Sequence, residues 1–237
     1  MSCRVLLATA LLAALTSTIS TAAPISGTFN IAGNITVTPT TITWQLDTAP
    51  FTPNKANVGG GTGDFAGLAG TTVTIQTLNS ATEPVGVNLV PQPLFISFDA
   101  APTFPTLNLG MIFLGIYSNA QCGAPPAVGQ QCTVNPPASP FNFVNNPPAG
   151  SPQATATFAF MGNTSDMLES WQGNFTSQFT VPYQTVLQTL ATTGSVTNTF
   201  SATFTVAPVV PETSSLSLLA LGLGLIGVST RLRRKRA

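Results

Sequence analysis

Along most of the chain, hydrophobic residues recur at every second position. Phe29, Ile31, Ile35 and Val37 share one parity, as do Ile42, Trp44 and Leu46, and then Val73, Ile75 and Thr77. Leu94, Ile96 and Phe98 repeat the pattern. So do Phe158 and Phe160, then Phe175, Phe179 and Val181, and finally Phe200, Ala202, Phe204 and Val206. Successive strand side chains point to opposite faces, so this alternation predicts half-buried antiparallel strands. Their β-branched and aromatic content suits a pleated surface. Glycine and proline clusters separate the runs at residues 50–53, 59–63, 102–105, 124–126 and 136–152, and the 59–63 run reads as a flexible hairpin connection. Short strands so punctuated predict an all-β domain, an antiparallel β-sandwich or Greek-key barrel. One segment keeps a different period. Pro182 precedes Tyr183, Val186, Leu187 and Leu190, which share one helical face, and Gly194 follows. This predicts one short helix that caps an edge or an open end of the sheets.

The two ends of the chain read differently. A short n-region carrying Arg4 precedes an apolar run at residues 5–15, and a small polar stretch follows. That is the layout of a secretory signal peptide, with a signal helix too short to span a bilayer at about 1.5 Å per residue. Ser20, Thr21 and Ala22 place cleavage after Ala22, because a cut after Ala23 would leave Pro24 at the new terminus. Export by the Sec machinery and trimming by signal peptidase are therefore expected. At the other end, Val210-Pro211-Glu212 is followed by an apolar run at 216–228 and then by Arg231, Arg233, Arg234, Lys235 and Arg236. An apolar segment closed by cations is a stop-transfer device, predicting a transmembrane helix over residues 214–230 with its basic end cytoplasmic. The chain thus divides into a signal peptide (1–22), an extracytoplasmic β domain (23–208) and a tail (209–237).

The order of Pro-Glu motif, Gly- and Leu-rich helix and terminal Arg cluster resembles the PEP-CTERM sorting domain of Gram-negative bacteria. Thr213 stands where the family's motif has its second proline. The resemblance covers only the tail. It implies processing by an exosortase near Pro211-Glu212, transient anchoring in the inner membrane, and delivery to the cell surface or to an exopolysaccharide matrix. Gly222, Gly224 and Gly227 also fit a dinucleotide-binding spacing, but the chain ends ten residues later, with no room for the βαβ unit such a site needs.

Charge sharpens this picture. The formal balance of zero sums seven basic and seven acidic residues of the whole chain. Between the two ends, Lys55 is the sole cation, against Asp47, Asp64, Glu83, Asp99, Asp166 and Glu169. An acidic domain with one cation has no footprint for nucleic acid. The chain has no His, which removes Ser-His-Asp and Cys-His catalysis and every His metal site. Cys122 and Cys132 are the cysteines left after processing, and outside the membrane they are expected to form a disulfide. Two thiols without His are too few for zinc. Neither a metal nor a cofactor is expected. Lys55 offers an amine for a Ser-Lys dyad and Asp166 with Glu169 a carboxylate pair, each without a supporting motif. Residues 59–64, ending in Asp64, offer a loop for calcium, and Trp44 and Trp171 offer sugar-stacking faces, although their strand positions favour the core. The resemblance implies a surface or matrix protein and the missing catalytic groups point to a non-enzymatic one, with a carbohydrate- or calcium-binding module acting in the matrix as the alternative.

Overall fold

The computed structural model describes residues 23–135, 137–147 and 153–209. The signal segment 1–22, the motif Val210-Pro211-Glu212, the span 214–230 and the basic cluster Arg231, Arg233, Arg234, Lys235 and Arg236 lie outside the described residues. Among the described residues no helix is long and apolar enough to cross a membrane.

Among the described residues the strands are β1 (Gly27–Val37), β2 (Thr41–Gln45), β3 (Lys55–Gly61), β4 (Thr72–Ile75), β5 (Leu78–Asn79), β6 (Leu94–Phe98), β7 (Leu107–Ile112), β8 (Gln131–Cys132), β9 (Asn142–Asn145), β10 (Ala154–Thr164), β11 (Glu169–Phe179) and β12 (Val196–Pro208), with one α-helix, α1 (Tyr183–Thr193). Eight of them, β1, β3, β4, β6, β7, β10, β11 and β12, pair in that order, and β12 returns to β1. Every pairing is antiparallel. The result is a closed up-and-down barrel, in place of the sandwich or Greek-key barrel expected from the strand pattern. The alternation is the same in all three. Closure depends on β1 pairing with β12, from Gly27 with Val206 to Val37 with Val196, a register that no local pattern carries.

The barrel has two tiers. β1 pairs with β12 along its whole length, but its other edge is shared: Phe29 to Ala32 pair with β3, and Asn34 to Val37 pair with β2. β10 divides likewise, with Phe160 to Thr164 on β7 and Ala154 to Thr157 on β9. The lower tier is thus the closed barrel. In the upper tier the four long strands continue, and the wall runs β5-β2-β1-β12-β11-β10-β9-β8 without closing.

Aromatic side chains fill the lower tier and its junction with the upper one. Phe29 stacks on Phe204 at 4.8 Å and meets Phe65 and Phe98 at 4.9 and 5.2 Å. Phe175 lies 5.0 Å from each of Trp44, Phe158 and Phe160. Eight strands enclose a bore that side chains of this size can fill. Two glycines on the wall make room: a Cβ at Gly173 would stand 2.5 Å from the Phe204 ring, and one at Gly162 would collide with the Asn108 carbonyl.

Two local readings are corrected. Residues 59–61 belong to β3 and are no hairpin loop; their glycines leave the strand backbone paired with β1. In β6 the register shifts between Leu94 and Ile96, so Leu94 turns outward, 43% exposed, while Phe95 and Ile96 are both fully buried. The helix forms as its period predicts. Pro182 is its N-cap, and Gly194 ends it at φ 78°, donating its N–H to the Leu190 carbonyl. That left-handed C-cap suits glycine, which has no Cβ to clash.

Candidate functional site

The open upper tier holds a cavity of about 550 Å³. β1 and β2 bring Ile35, Val37 and Ile42 to it, β7 brings Ile112, β10 brings Ala156 and Phe158, and α1 brings Val186, Leu187 and Leu190. α1 lies across the open end because its apolar stripe is divided in use. Tyr183 and Val186 are buried against Phe143, Ala154, Ala156 and Cys132, and Leu187 and Leu190 turn to the cavity.

A polar network fixes α1 there. The Tyr183 N–H donates to Asn145 Oδ1 at 3.0 Å, Asn145 Nδ2 donates to Gln184 Oε1 at 2.9 Å, and Gln184 Nε2 donates to Gln130 Oε1 at 2.7 Å. The Tyr183 hydroxyl donates to the Gln121 carbonyl at 3.0 Å, and burial raises its pKa above the usual tyrosine value. Gln121 adjoins Cys122, which is bonded to Cys132 with the two Cα atoms 5.2 Å apart. The disulfide loop, β9 and the helix N-terminus are therefore one connected wall, and Cys122 and Gly123 line the cavity.

The ionisable candidates lie elsewhere. Lys55 Nζ is 2.7 Å from both Asp99 oxygens and donates to Thr74 Oγ1 at 2.6 Å. Burial raises the Asp99 pKa, but hydrogen bonds from Lys55, Thr72 and Thr74 and the Lys55 charge outweigh it and hold the carboxyl below its usual value. Lys55 is thus held by Asp99 and Thr74, at the outer surface of β3 and β4. Asp166 and Glu169 do come together, in the β10–β11 turn: Thr164 Oγ1 is 2.7 Å from Asp166 Oδ1 and 2.7 Å from Glu169 Oε2. Burial again raises Asp166, but hydrogen bonds donated by the Thr164 hydroxyl and the Leu168 N–H help to bring it below the ordinary value. Glu169 also accepts the Ile25 N–H at 2.7 Å. Glu169 thus ties the turn to the start of the barrel, at the pole opposite the cavity, while Asp166 bonds within the turn.

Asp64 opens a short 3₁₀ helix (Gly63–Leu68) and accepts the Ser26 N–H at 2.7 Å, so residues 59–64 form a strand end and a helical turn, not a ligand loop. Asp47 accepts from Asn57 Nδ2 at 2.9 Å. Among the described residues no three His, Cys, Asp or Glu side chains gather as metal ligands. Trp44 and Trp171 are core residues, 1% and 2% exposed, donating their ring N–H to the Gln76 and Asn108 carbonyls. Neither presents a face to a sugar. Ala23, the alternative cleavage residue, is exposed ahead of β1.

The cavity is what the sequence pattern does not reveal. Leu187 and Leu190 carry the signal of an ordinary core stripe, and only the split of β1 and β10 between two neighbours leaves them facing empty space. No protein-family model matches this chain, and comparison with curated proteins and with solved structures finds no match.

Proposed function

We propose that this chain is an exported, non-enzymatic cell-surface or extracellular-matrix protein, delivered through its C-terminal tail. The Sec machinery carries it out, signal peptidase cuts after Ala22, and an exosortase processes it near Val210-Pro211-Glu212 while residues 214–230 hold it in the inner membrane. The observation that supports this best is where the barrel begins and ends. The Ile25 N–H is held by Glu169, and the Val209 N–H by the Leu168 carbonyl, so both ends leave from one pole. The cavity sits at the other. β12 has 13 residues, about 44 Å along the strand at about 3.4 Å each and about 33 Å along the axis of a barrel whose strands tilt by about 40°. A tail anchored at the lower pole therefore holds the cavity well clear of the membrane. The Cys122–Cys132 bridge suits an oxidising compartment.

The test is deletion of residues 211–237 in the native host, followed by fractionation and mass spectrometry of the chain recovered. The deletion is expected to abolish processing and surface retention while leaving export intact. Unchanged surface delivery and an unchanged mature C-terminus would sink the reading.

A further inference from the structure

We infer that the upper-tier cavity is a binding site for a neutral, mainly aliphatic small molecule. Its volume, about 550 Å³, falls in the range of about 300–1,000 Å³ common to small-molecule sites, which favour the mouths of β-barrels. Ile35, Ile42, Ile112, Phe158, Leu187 and Leu190 supply walls from four strands and the helix. A space lined this way gives water few partners, and an apolar occupant replaces that poorly bound water.

Ser177 and Asn198, polar side chains on the lining, are already engaged. Ser177 Oγ donates to the Thr199 carbonyl at 2.8 Å, and Asn198 Nδ2 donates to Ser177 Oγ at 2.9 Å and to the Gln178 carbonyl at 2.7 Å. Among the described residues no buried side-chain nitrogen or oxygen lacks a partner. The site therefore makes no demand for a particular polar ligand group.

Charge decides between classes of apolar ligand. Glu83 is the charged side chain on the lining, and it accepts the Asn79 N–H at 2.8 Å. Lys55, the single cation of the described residues, is bonded to Asp99 and is not part of the lining. A fatty-acid carboxylate or a phosphate would enter with no counter-ion and would lose its hydration, a large penalty for a buried charge. An alcohol or an ester loses far less on entry, and a hydrocarbon nothing. This inference stands on the cavity alone and does not depend on how the chain is delivered.

The experiment uses the purified full chain in detergent-free buffer with the neutral fluorophore N-phenyl-1-naphthylamine, displaced by 1-octanol, 1-decanol, 1-dodecanol and dodecanoate at pH 8. Saturable probe binding is expected, with displacement strengthening about fourfold per added methylene until the cavity is full. Dodecanoate is expected to compete at least about tenfold more weakly than 1-dodecanol. Leu190→Trp, which fills space from the partly exposed face of α1, is expected to weaken probe binding about tenfold with an unchanged melting transition. Leu190→Arg is expected to narrow the gap between dodecanoate and dodecanol. The proposal falls if the full chain binds no probe, if Leu190→Trp folds and binds it undiminished, or if dodecanoate competes as well as the alcohol in the wild type.

Discussion

Reduction of the Cys122–Cys132 bridge is a perturbation whose size can be worked from the chain. The cysteines are 10 positions apart, and on the chain-entropy relation a loop of that length is worth about 2.7 kcal/mol, because its closure is already made in the unfolded chain. For a domain of this size each kcal/mol moves the melting temperature by about 2–4 °C, so reduction is expected to lower it by about 5–11 °C. Both sulfurs stay in place, so the fully buried Cys132 leaves no hole of the kind that Cys132→Ala would create. Scanning calorimetry with and without a phosphine reductant, with thiol titration to confirm opening, makes the measurement. A second readout follows from position. Gln121 accepts the Tyr183 hydroxyl and Cys122 lines the cavity, so the loosened loop is also expected to weaken binding of the neutral probe. A melting shift below about 2 °C would refute the reasoning, since the loop would then lie outside the cooperative unit or be closed in the unfolded chain.

Phe175→Ala empties the centre of the aromatic packing and is expected to cost about 3–5 kcal/mol, read from denaturant unfolding. Gly173→Ala drives a Cβ to 2.5 Å from the Phe204 ring and is expected to cost about 1–3 kcal/mol, whereas Gly59→Ala, with nothing within 4 Å, leaves stability unchanged or raised. Asp99 has a lowered folded pKa, so its contribution is present above the ordinary aspartate value of about 3.9 and is lost as pH falls through the lower folded value. Asp99→Asn is therefore expected to cost about 1 kcal/mol at pH 7, and its deficit against the wild type is expected to narrow toward pH 3 in paired melts.

Much of the wall was legible from residue parity. Phe29, Ile31, Val73, Ile75, Phe158, Phe160, Phe200 and Phe204 all face inward as their alternation predicts, and α1 stands between Pro182 and Gly194 as its period predicts, at the open end, one of the two places it could cap. Parity failed at Leu94, where a one-residue shift flips every side chain before it, and a bulge leaves no mark in the hydrophobic pattern. The glycines at 59–61 read as a turn because their composition is a turn's, but pairing of Gly60 and Gly61 with β1 keeps that backbone in the strand. Topology was hidden for a different reason. A sandwich, a Greek key and a meander bury the same alternate residues, and they differ only in which strand meets which. The cavity was hidden likewise, because a sequence shows which side chains are apolar and cannot show that the space between them is left over.

The division of the wall has a further consequence, for how copies of this protein meet. A strand with a free border of N–H and carbonyl groups is a template on which another chain can add, and a closed ring has no such border. Here the unclosed upper wall ends in β5 and β8, of two residues each. The long strands, which alone could support a lengthening stack, are all interior. Crowded side by side, these molecules would offer each other only these short borders on which to extend a sheet, where an open sheet of the same composition would offer a long one.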